Sequence, residues 1–179
     1  MKITVLTGSP RRMGTSTLLA DEFIAGAKAS GNEVTRFDCA FMNISPCSAC
    51  DFCLQHEGKC VHDDDMVKIE AAVREADMVV FATPIYYFGM TSYLKHPIDR
   101  FYAFNDALLK SGKKAVLLAT AGDADGWVLD ALCVHFAAIC RYLGWEDAAR
   151  ITARGVYERA DMEKTEYPEM ARALGESIR

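Results

Sequence analysis

The sequence predicts an α/β fold in which helices cover both faces of a parallel sheet. Strand-like apolar segments alternate along the chain with segments of helical periodicity, as in folds built from β-α-β units. Two of the strand-like segments, 78–83 and 115–120, are almost continuously apolar, which is typical of strands buried on both faces. A loop rich in glycine and hydroxyl residues, 8–17, joins the first strand to the first helix, at the edge where such sheets bind ligands.

Five strands and the first helix follow from these patterns. The predicted strands are 3–6, 34–37, 78–83, 115–120 and 148–153. Leu19, Phe23 and Ala27 recur every four residues and therefore predict a helix with one apolar face. The pair Gly31-Asn32 predicts the end of that helix.

Three further helices are predicted. Met66, Ile69 and Val73 form an apolar stripe, and the acidic residues 63–65 before them complement a helix N-terminus. Residues 161–178 are predicted to form one closing helix. A third stripe comprises Leu129, Leu132, Phe136, Ile139 and Leu143. Because strands joined by helices take right-handed crossovers, the sheet is predicted to be parallel.

The composition limits the domain organisation of the chain and the kinds of partner that it can bind. With 179 residues, of which 51% are hydrophobic and 25% charged, the chain fits one domain, 1–179, with a cysteine-rich insertion at about 39–63. A net charge of −5 without a basic cluster argues against nucleic acid or an anionic membrane as the main partner. The apolar N-terminal run, 3–6, is too short for a signal-peptide core, and no later run approaches the length of a membrane-spanning helix, so we expect a cytoplasmic protein.

Four of the seven cysteines follow a repeated spacing, Cys47-x2-Cys50-x2-Cys53-x6-Cys60. A Cys-x2-Cys turn lets two sulfurs converge on one centre, and two further cysteines complete four thiolate ligands. This donor set suits a [4Fe-4S] cluster or a structural zinc ion, and the spacing alone does not choose between them. The other three cysteines, Cys39, Cys133 and Cys140, fit structural positions.

The loop 8–17 has the composition of a phosphate site at a helix N-terminus. Five residues separate its glycines, Gly8 and Gly14, where a P-loop of nucleoside triphosphatases has four, and Thr15 follows the second glycine where a P-loop has Lys, so the loop is not a P-loop. The dinucleotide pattern G-x-G-x-x-G is also missing. A hydroxyl-rich cradle therefore favours a phosphomonoester, as in FMN, over the alternative of an ordinary capped helix.

Two more loops lie at the same predicted edge. After the third strand, Pro84 stops the strand and three aromatic residues, 86–88, offer partners for a planar ring, while Gly89 is expected to permit an unusual turn. The loop 120–127 after the fourth strand ends in Trp127, which either covers a bound ring or packs in a subunit interface.

These motifs resemble those of the flavodoxin-like NAD(P)H-dependent FMN reductase family, and the cysteines followed by 63–66 resemble its iron-sulfur flavoprotein branch. The resemblance covers nearly the whole chain, including 155–158, with one departure at Thr15, where relatives commonly carry Asn. It implies a doubly wound five-stranded parallel sheet in the order 2-1-3-4-5, noncovalent FMN, and a homodimer or homotetramer. The matching segments are Gly8-Ser9-Pro10-Arg11, Gly14-Thr15-Ser16, Thr83-Pro84-Ile85-Tyr86-Tyr87-Phe88-Gly89, Leu94-Lys95 and Ile98-Asp99-Arg100.

The resemblance also implies which residues hold the cofactors. Phosphate binding falls to Ser9, Arg11, Thr15, Ser16 and Thr17. Ring and ribityl contacts fall to Pro84, Ile85, Tyr86, Tyr87, Phe88 and Gly89, with a third contact loop at Ala121, Gly122 and Asp123. Cys47, Cys50, Cys53 and Cys60 are the candidate metal ligands. No catalytic side chain is assigned, because the flavin N5 carries the chemistry.

Two classes of function are then expected. The first is an FMN oxidoreductase that takes hydride from NAD(P)H and passes electrons to a small acceptor. The second is an electron carrier that exchanges electrons between FMN, a [4Fe-4S] cluster and a ferredoxin-like partner. A third option is a flavin-binding fold whose cysteine loop is held by zinc.

Overall fold

A computed structural model describes all residues, 1–179, and contains one mainly parallel sheet. The strands are β1 (Lys2–Thr7), β2 (Glu33–Asp38), β3 (Met78–Tyr86), β4 (Gly89–Met90), β5 (Lys114–Thr120) and β6 (Glu146–Ala153). The order is β2-β1-β3-β5-β6 with every neighbouring pair parallel, and the two-residue β4 pairs antiparallel with the end of β3. The five parallel strands thus follow the order 2-1-3-4-5, which confirms the predicted fold.

Eight α-helices and two 3₁₀ turns connect the strands. The α-helices are α1 (Thr15–Ala29), α2 (Phe52–Gln55), α3 (Met66–Glu75), α4 (Ser92–Arg100), α5 (Asn105–Leu108), α6 (Asp130–Leu143), α7 (Arg159–Met162) and α8 (Tyr167–Ser177). The 3₁₀ turns are Cys39–Phe41 and Phe101–Phe104. No helix has the length and apolar character needed to cross a membrane.

Each face of the sheet has its own apolar core. Alternate residues of β1 point to opposite faces, so Leu6 packs with α3, α4 and α6 while Val5 packs with α1 and α8. Met66, Ile69 and Val73 are the buried residues of α3, which confirms that predicted stripe. Because helices cover both faces of the sheet, the side chains of β3 and β5 are apolar along most of their length.

The closest helix contact on the second face is between α1 and α8, and it depends on glycine. A Cβ atom on Gly26 would lie 2.1 Å from the carbonyl oxygen of Arg172, and one on Gly175 would lie 2.2 Å from that of Phe23. These distances leave no room for a side chain. Helix α1, whose N-terminus faces the ligand-binding edge of the sheet, therefore packs closely against α8.

Two details of the helix predictions were wrong. The predicted closing helix 161–178 is two helices, α7 and α8, because Pro168 lacks a backbone N–H and stands in the first turn of a new helix instead of inside a continuous one. Helix α4 was not predicted, since its nine residues include Pro97 and few apolar positions.

Candidate functional site

The loops after β1, β3, β5 and β6 enclose a cavity of about 110 Å³ at the carboxyl edge of the sheet. This is the edge at which doubly wound sheets bind ligands, next to the point where the strand order reverses. The lining residues are Ser9, Arg11, Gly14, Thr15, Pro84, Ile85, Tyr86, Thr120, Gly122, Val156 and Tyr157.

The β1–α1 loop is folded around the carbonyl oxygen of Arg11. That oxygen accepts hydrogen bonds from the Gly14 amide (3.0 Å) and from the hydroxyls of Ser9 and Thr17 (3.1 Å each). The Ser9 hydroxyl also accepts one from the Arg11 amide at 3.1 Å. The loop therefore has a defined shape without any ligand.

Helix α1 begins at this loop without a side-chain cap. The N-cap residue is Gly14, which has no side chain to accept a hydrogen bond from the first turn. Thr15, Ser16 and Thr17 make up that turn and all are buried, so their amides are screened from solvent. A Cβ atom on Gly14 would lie 2.9 Å from the Ser9 hydroxyl and would narrow the cradle. Uncapped amides at the positive end of a helix, ringed by hydroxyls, fit a phosphate group.

A buried hydrogen bond joins two of the loops. The Thr15 and Thr120 hydroxyl oxygens lie 2.9 Å apart, and both side chains are buried. The Thr15 hydroxyl thus connects the start of α1 to the end of β5. The threonine that stands here in place of the usual Asn therefore has a defined hydrogen-bond partner.

Tyr157 closes the cavity from the β6–α7 loop. Its ring lies beneath the Arg11 guanidinium, with 5.2 Å from Cζ to the ring centroid. It also packs against Gly122, where a Cβ atom would lie 2.9 Å from Tyr157 Cδ2. The loop is held by the Asp161 carboxylate, which accepts hydrogen bonds from the amides of Tyr157 and Glu158.

The β3–β4 connection is a two-residue hairpin that carries exposed aromatic rings. Tyr86 pairs with Gly89, so Tyr87 and Phe88 form the turn, and their φ angles are +46° and +64°. The expectation that Gly89 provides the unusual conformation was wrong, because a tight hairpin places its two central residues in the left-handed region. The Phe88 ring lies 4.8 Å from that of Trp127 between centroids, which joins this hairpin to the β5–α6 loop.

The structure brings together seven of the predicted flavin-site residues around the cavity. Ser16 and Thr17 lie in the adjoining helical turn. Five others do not line it: Tyr87, Phe88, Gly89, Ala121 and Asp123. Asp123 instead accepts a hydrogen bond from the Asp125 amide within its own loop.

Sequence reasoning missed four lining residues. These are Gly14, Thr120, Val156 and Tyr157. The only signal for Tyr157 was its place in the segment 155–158, which belonged to the family resemblance but received no role.

The four spaced cysteines line a second, smaller cavity of about 20 Å³. Four residues between them, Ala49, Asp51, Glu57 and Gly58, have positive φ angles, so the backbone changes direction repeatedly along this loop. All seven cysteines are free. No group of three or more His, Cys, Asp or Glu side chains is arranged to hold a metal ion.

The other buried cysteines are structural, as expected. Burial raises the pKa of Cys39 to about 12 and that of Cys140 to about 11, so both stay protonated. In contrast, the Phe52 amide lowers the pKa of the exposed Cys50 thiol in the spaced set.

A buried ion pair anchors the cysteine loop to helix α4. Arg100 and Asp64 are each 2% exposed, with Nη1 and Oδ2 2.9 Å apart. Arg100 Nη1 also donates to the Ser45 carbonyl, and Asp64 accepts from the Ser45 and Met66 amides. Burial opposes the Arg100 charge, but Asp64 and then Cys60 outweigh it and raise the pKa of the guanidinium.

The types of residue at this second cavity, though not the present arrangement of its thiols, suit an anionic iron–sulfur group. Four thiols are the required donors, and Arg100 Nε and His62 Nε2 are buried beside them without a hydrogen-bond partner.

Comparison with known proteins relates the chain to flavin enzymes. The family model described as NADPH-dependent FMN reductase matches residues 1–143. An iron-sulfur flavoprotein of Archaeoglobus fulgidus is 34% identical over 113 residues, which are 63% of this chain and 51% of that protein. An FMN-dependent NADH:quinone oxidoreductase of Bordetella petrii is 32% identical over 97 residues, 48% of this chain and 47% of that protein. The chain spans about half the length of these relatives.

Among solved structures, an NAD(P)H:quinone oxidoreductase from Methanothermobacter marburgensis superposes with a TM-score of 0.75. The match covers 97% of this chain and 94% of that one at 18% identity. Similarity at this level of identity establishes a shared fold.

Proposed function

Since the chain belongs to the NADPH-dependent FMN reductase family, we propose that it binds FMN and passes electrons from NAD(P)H through the flavin to a small acceptor. The observation that carries the proposal is the uncapped, buried N-terminus of α1 within the cavity at the carboxyl edge of the sheet. Bound FMN would supply a ring that accepts hydride, while the protein supplies binding and orientation.

The chain's own groups divide this work between two ends of the site. The amides of Thr15, Ser16 and Thr17 bind the phosphate, and the Arg11 guanidinium balances its charge. The loops at Pro84 and Gly122 contact the ribityl chain and the ring. These groups hold the cofactor so that one ring face stays open to the nicotinamide.

The open edge of the site suits planar partners. Tyr86, Tyr87 and Trp127 are all about half exposed or more, and Tyr87 is wholly exposed. Aromatic faces stack on planar rings, so we infer that nicotinamide and acceptor bind in turn beside this surface. The same exposed rings support a homodimer or homotetramer as the working form, which light scattering at several protein concentrations would test.

The test of the phosphate cradle is Ser16→Asp, with Ser16→Ala as its matched control. A carboxylate among the amides takes the place and charge of the phosphate, so the Asp variant should be purified without flavin. The Ala variant removes only a hydroxyl and should keep most of it. Equal FMN content in the two variants would contradict the assignment.

The second candidate function is the electron carrier, and the four cysteines around one cavity favour it. In this case a [4Fe-4S] cluster would be held by Cys47, Cys50, Cys53 and Cys60 and would exchange electrons with FMN and a ferredoxin-like partner. Anaerobic stopped-flow measurement separates the candidates. Flavin reduction by NADH or NADPH supports the enzyme, whereas reduction by a reduced ferredoxin alone supports the carrier.

A further inference from the structure

Three buried side-chain nitrogen atoms in the protein have no hydrogen-bond partner, and two of them adjoin the cysteine cavity. They are Arg100 Nε and His62 Nε2, while the third, Arg159 Nη1, belongs to helix α7. Buried polar groups are nearly always paired, because an unpaired one loses its hydration without compensation. Arg100 Nε–H lacks an acceptor, and so does His62 Nε2 in the tautomer that carries its proton on that nitrogen.

The Arg100 side chain shows what kind of acceptor is missing. Its Nη1 and Nη2 groups are bound to Asp64, and Nη1 also donates to the Ser45 carbonyl, which leaves only Nε–H. The side chain is 2% exposed, so bulk water does not reach it. A guanidinium has no acceptor atom, and therefore the missing partner must be an acceptor.

The surroundings favour sulfur as that acceptor. Arg100 and His62 line the same cavity as the four cysteines. The residue there with a carboxylate, Asp51, is exposed. Arg100 and His62 also line a larger cavity of about 750 Å³ with Glu57, Asp63 and Glu70, but Cys60 lines both cavities. Thiolates and bridging sulfides of an iron–sulfur cluster carry negative charge and accept such hydrogen bonds.

We propose that Arg100 Nε–H and His62 Nε2–H donate hydrogen bonds to the sulfur atoms of a [4Fe-4S] cluster held by Cys47, Cys50, Cys53 and Cys60. Arg100 is then a positioning residue that also sets the reduction potential of the cluster. The inference rests on the electron-carrier form of the proposed function, since it requires the cluster.

Donors to sulfur stabilise the more negative, reduced state of a cluster, because reduction adds charge to the sulfur atoms. Removing one donor should therefore make the cluster harder to reduce. Removing the nearby Asp64 carboxylate should have the opposite effect, since that negative charge opposes reduction.

The experiment uses full-length protein, purified anaerobically and reconstituted with iron and sulfide. Iron and sulfide contents are measured first, and the cluster potential is then followed by electron paramagnetic resonance during a redox titration. Arg100→Lys keeps the positive charge and loses the Nε donor, and Asp64→Asn keeps the donor and loses the ion pair. We expect about a tenfold shift of the reduction equilibrium toward the oxidised state in Arg100→Lys, or 59 mV more negative for one electron. Asp64→Asn should shift the reduction equilibrium of the cluster toward the reduced state.

A purely structural role for Arg100 predicts a different result. If the ion pair only anchors the loop, both variants lose iron to the same extent and whatever cluster remains keeps the wild-type potential, which would overturn the inference. His62→Ala provides a test that does not disturb the ion pair, so it remains informative if Arg100→Lys fails to fold. An unchanged potential in His62→Ala would also overturn it. Wild-type protein that takes up no cluster would overturn the carrier hypothesis together with this inference, whereas FMN binding would be unaffected.

Discussion

Replacing Gly122 by alanine should weaken FMN binding with only a small effect on the stability of the fold. The new Cβ atom would lie 2.9 Å from Tyr157 Cδ2, at least about 0.5 Å inside ordinary contact distance, so the ring must move. Tyr157 is 65% exposed and can rotate into solvent. Gly122 does not have a positive φ angle, so alanine introduces no backbone strain there.

The size of the effect follows from the contacts that the ring makes. Moving it away removes the stacking of Arg11 on Tyr157, worth about 0.5–1 kcal/mol at an exposed site. Because the stacking also holds Arg11 in place at the cavity, losing it should raise the FMN dissociation constant by up to about fivefold. The free energy of unfolding should fall by no more than about 1 kcal/mol, the size of that stacking energy, because the displaced ring is largely solvated already.

Titration of apoprotein with FMN, followed by quenching of flavin fluorescence, gives the dissociation constant, and thermal unfolding of apoprotein gives the stability. Gly126→Ala is the matched control in the same loop, since its Cβ atom would meet only Arg154 Nη1 at an ordinary 3.6 Å. Tyr157→Ala should weaken binding by itself and should remove any further effect of Gly122→Ala. An unchanged dissociation constant in Gly122→Ala, or an equal change in Gly126→Ala, would refute the role given to the Tyr157 ring.

Three other predictions concern stability and metal content. Gly26→Ala gains about 1 kcal/mol of helix propensity, but its Cβ atom would lie 2.1 Å from the Arg172 carbonyl oxygen. We therefore expect the free energy of unfolding to fall by about 1–3 kcal/mol, and the Tm to fall by about 2–4 °C for each kcal/mol lost. A raised Tm would contradict the close helix contact. Burial opposes the Asp64 charge, but the hydrogen bond from Arg100 and those from the Ser45 and Met66 amides together outweigh it and hold the pKa of Asp64 below its ordinary 3.8. The stabilisation that ionised Asp64 provides is therefore complete above pH 3.8 and is lost as the pH falls through the lower pKa of the folded state. In denaturant titrations, the difference in free energy of unfolding between wild type and Asp64→Asn should therefore narrow below about pH 4. Cys53→Ala should abolish iron uptake after anaerobic reconstitution and leave FMN content unchanged, because the flavin cavity is lined by other loops; parallel loss of both would show that the two sites are not independent.

The sheet could be predicted because its signals are local. The continuous apolar runs of β3 and β5 and the stripe at Met66, Ile69 and Val73 reflect burial directly, so periodicity located them. The phosphate loop was found because glycines and hydroxyls between a strand and a helix have few other uses.

The features that could not be predicted depend on contacts between distant parts of the chain. Nothing near Tyr157 in the sequence indicates that its ring lies over Gly122. Arg100 and Asp64 are 36 residues apart, and each resembles an ordinary surface charge until the fold buries both. The positive φ angles of Tyr87 and Phe88 are imposed by the pairing of Tyr86 with Gly89, which overrides the preference of the individual residues.

That hairpin has a consequence for engineering. Tyr87 and Phe88 occupy positions where Asn-Gly is the most favourable pair, and each aromatic residue in the left-handed region costs about 1 kcal/mol relative to such a turn. A screen for heat resistance alone would therefore tend to select Tyr87→Asn and Phe88→Gly. The selected variants would be more thermostable and would have lost the Phe88 ring that packs on Trp127, so selection for stability and selection for turnover should move this turn in opposite directions.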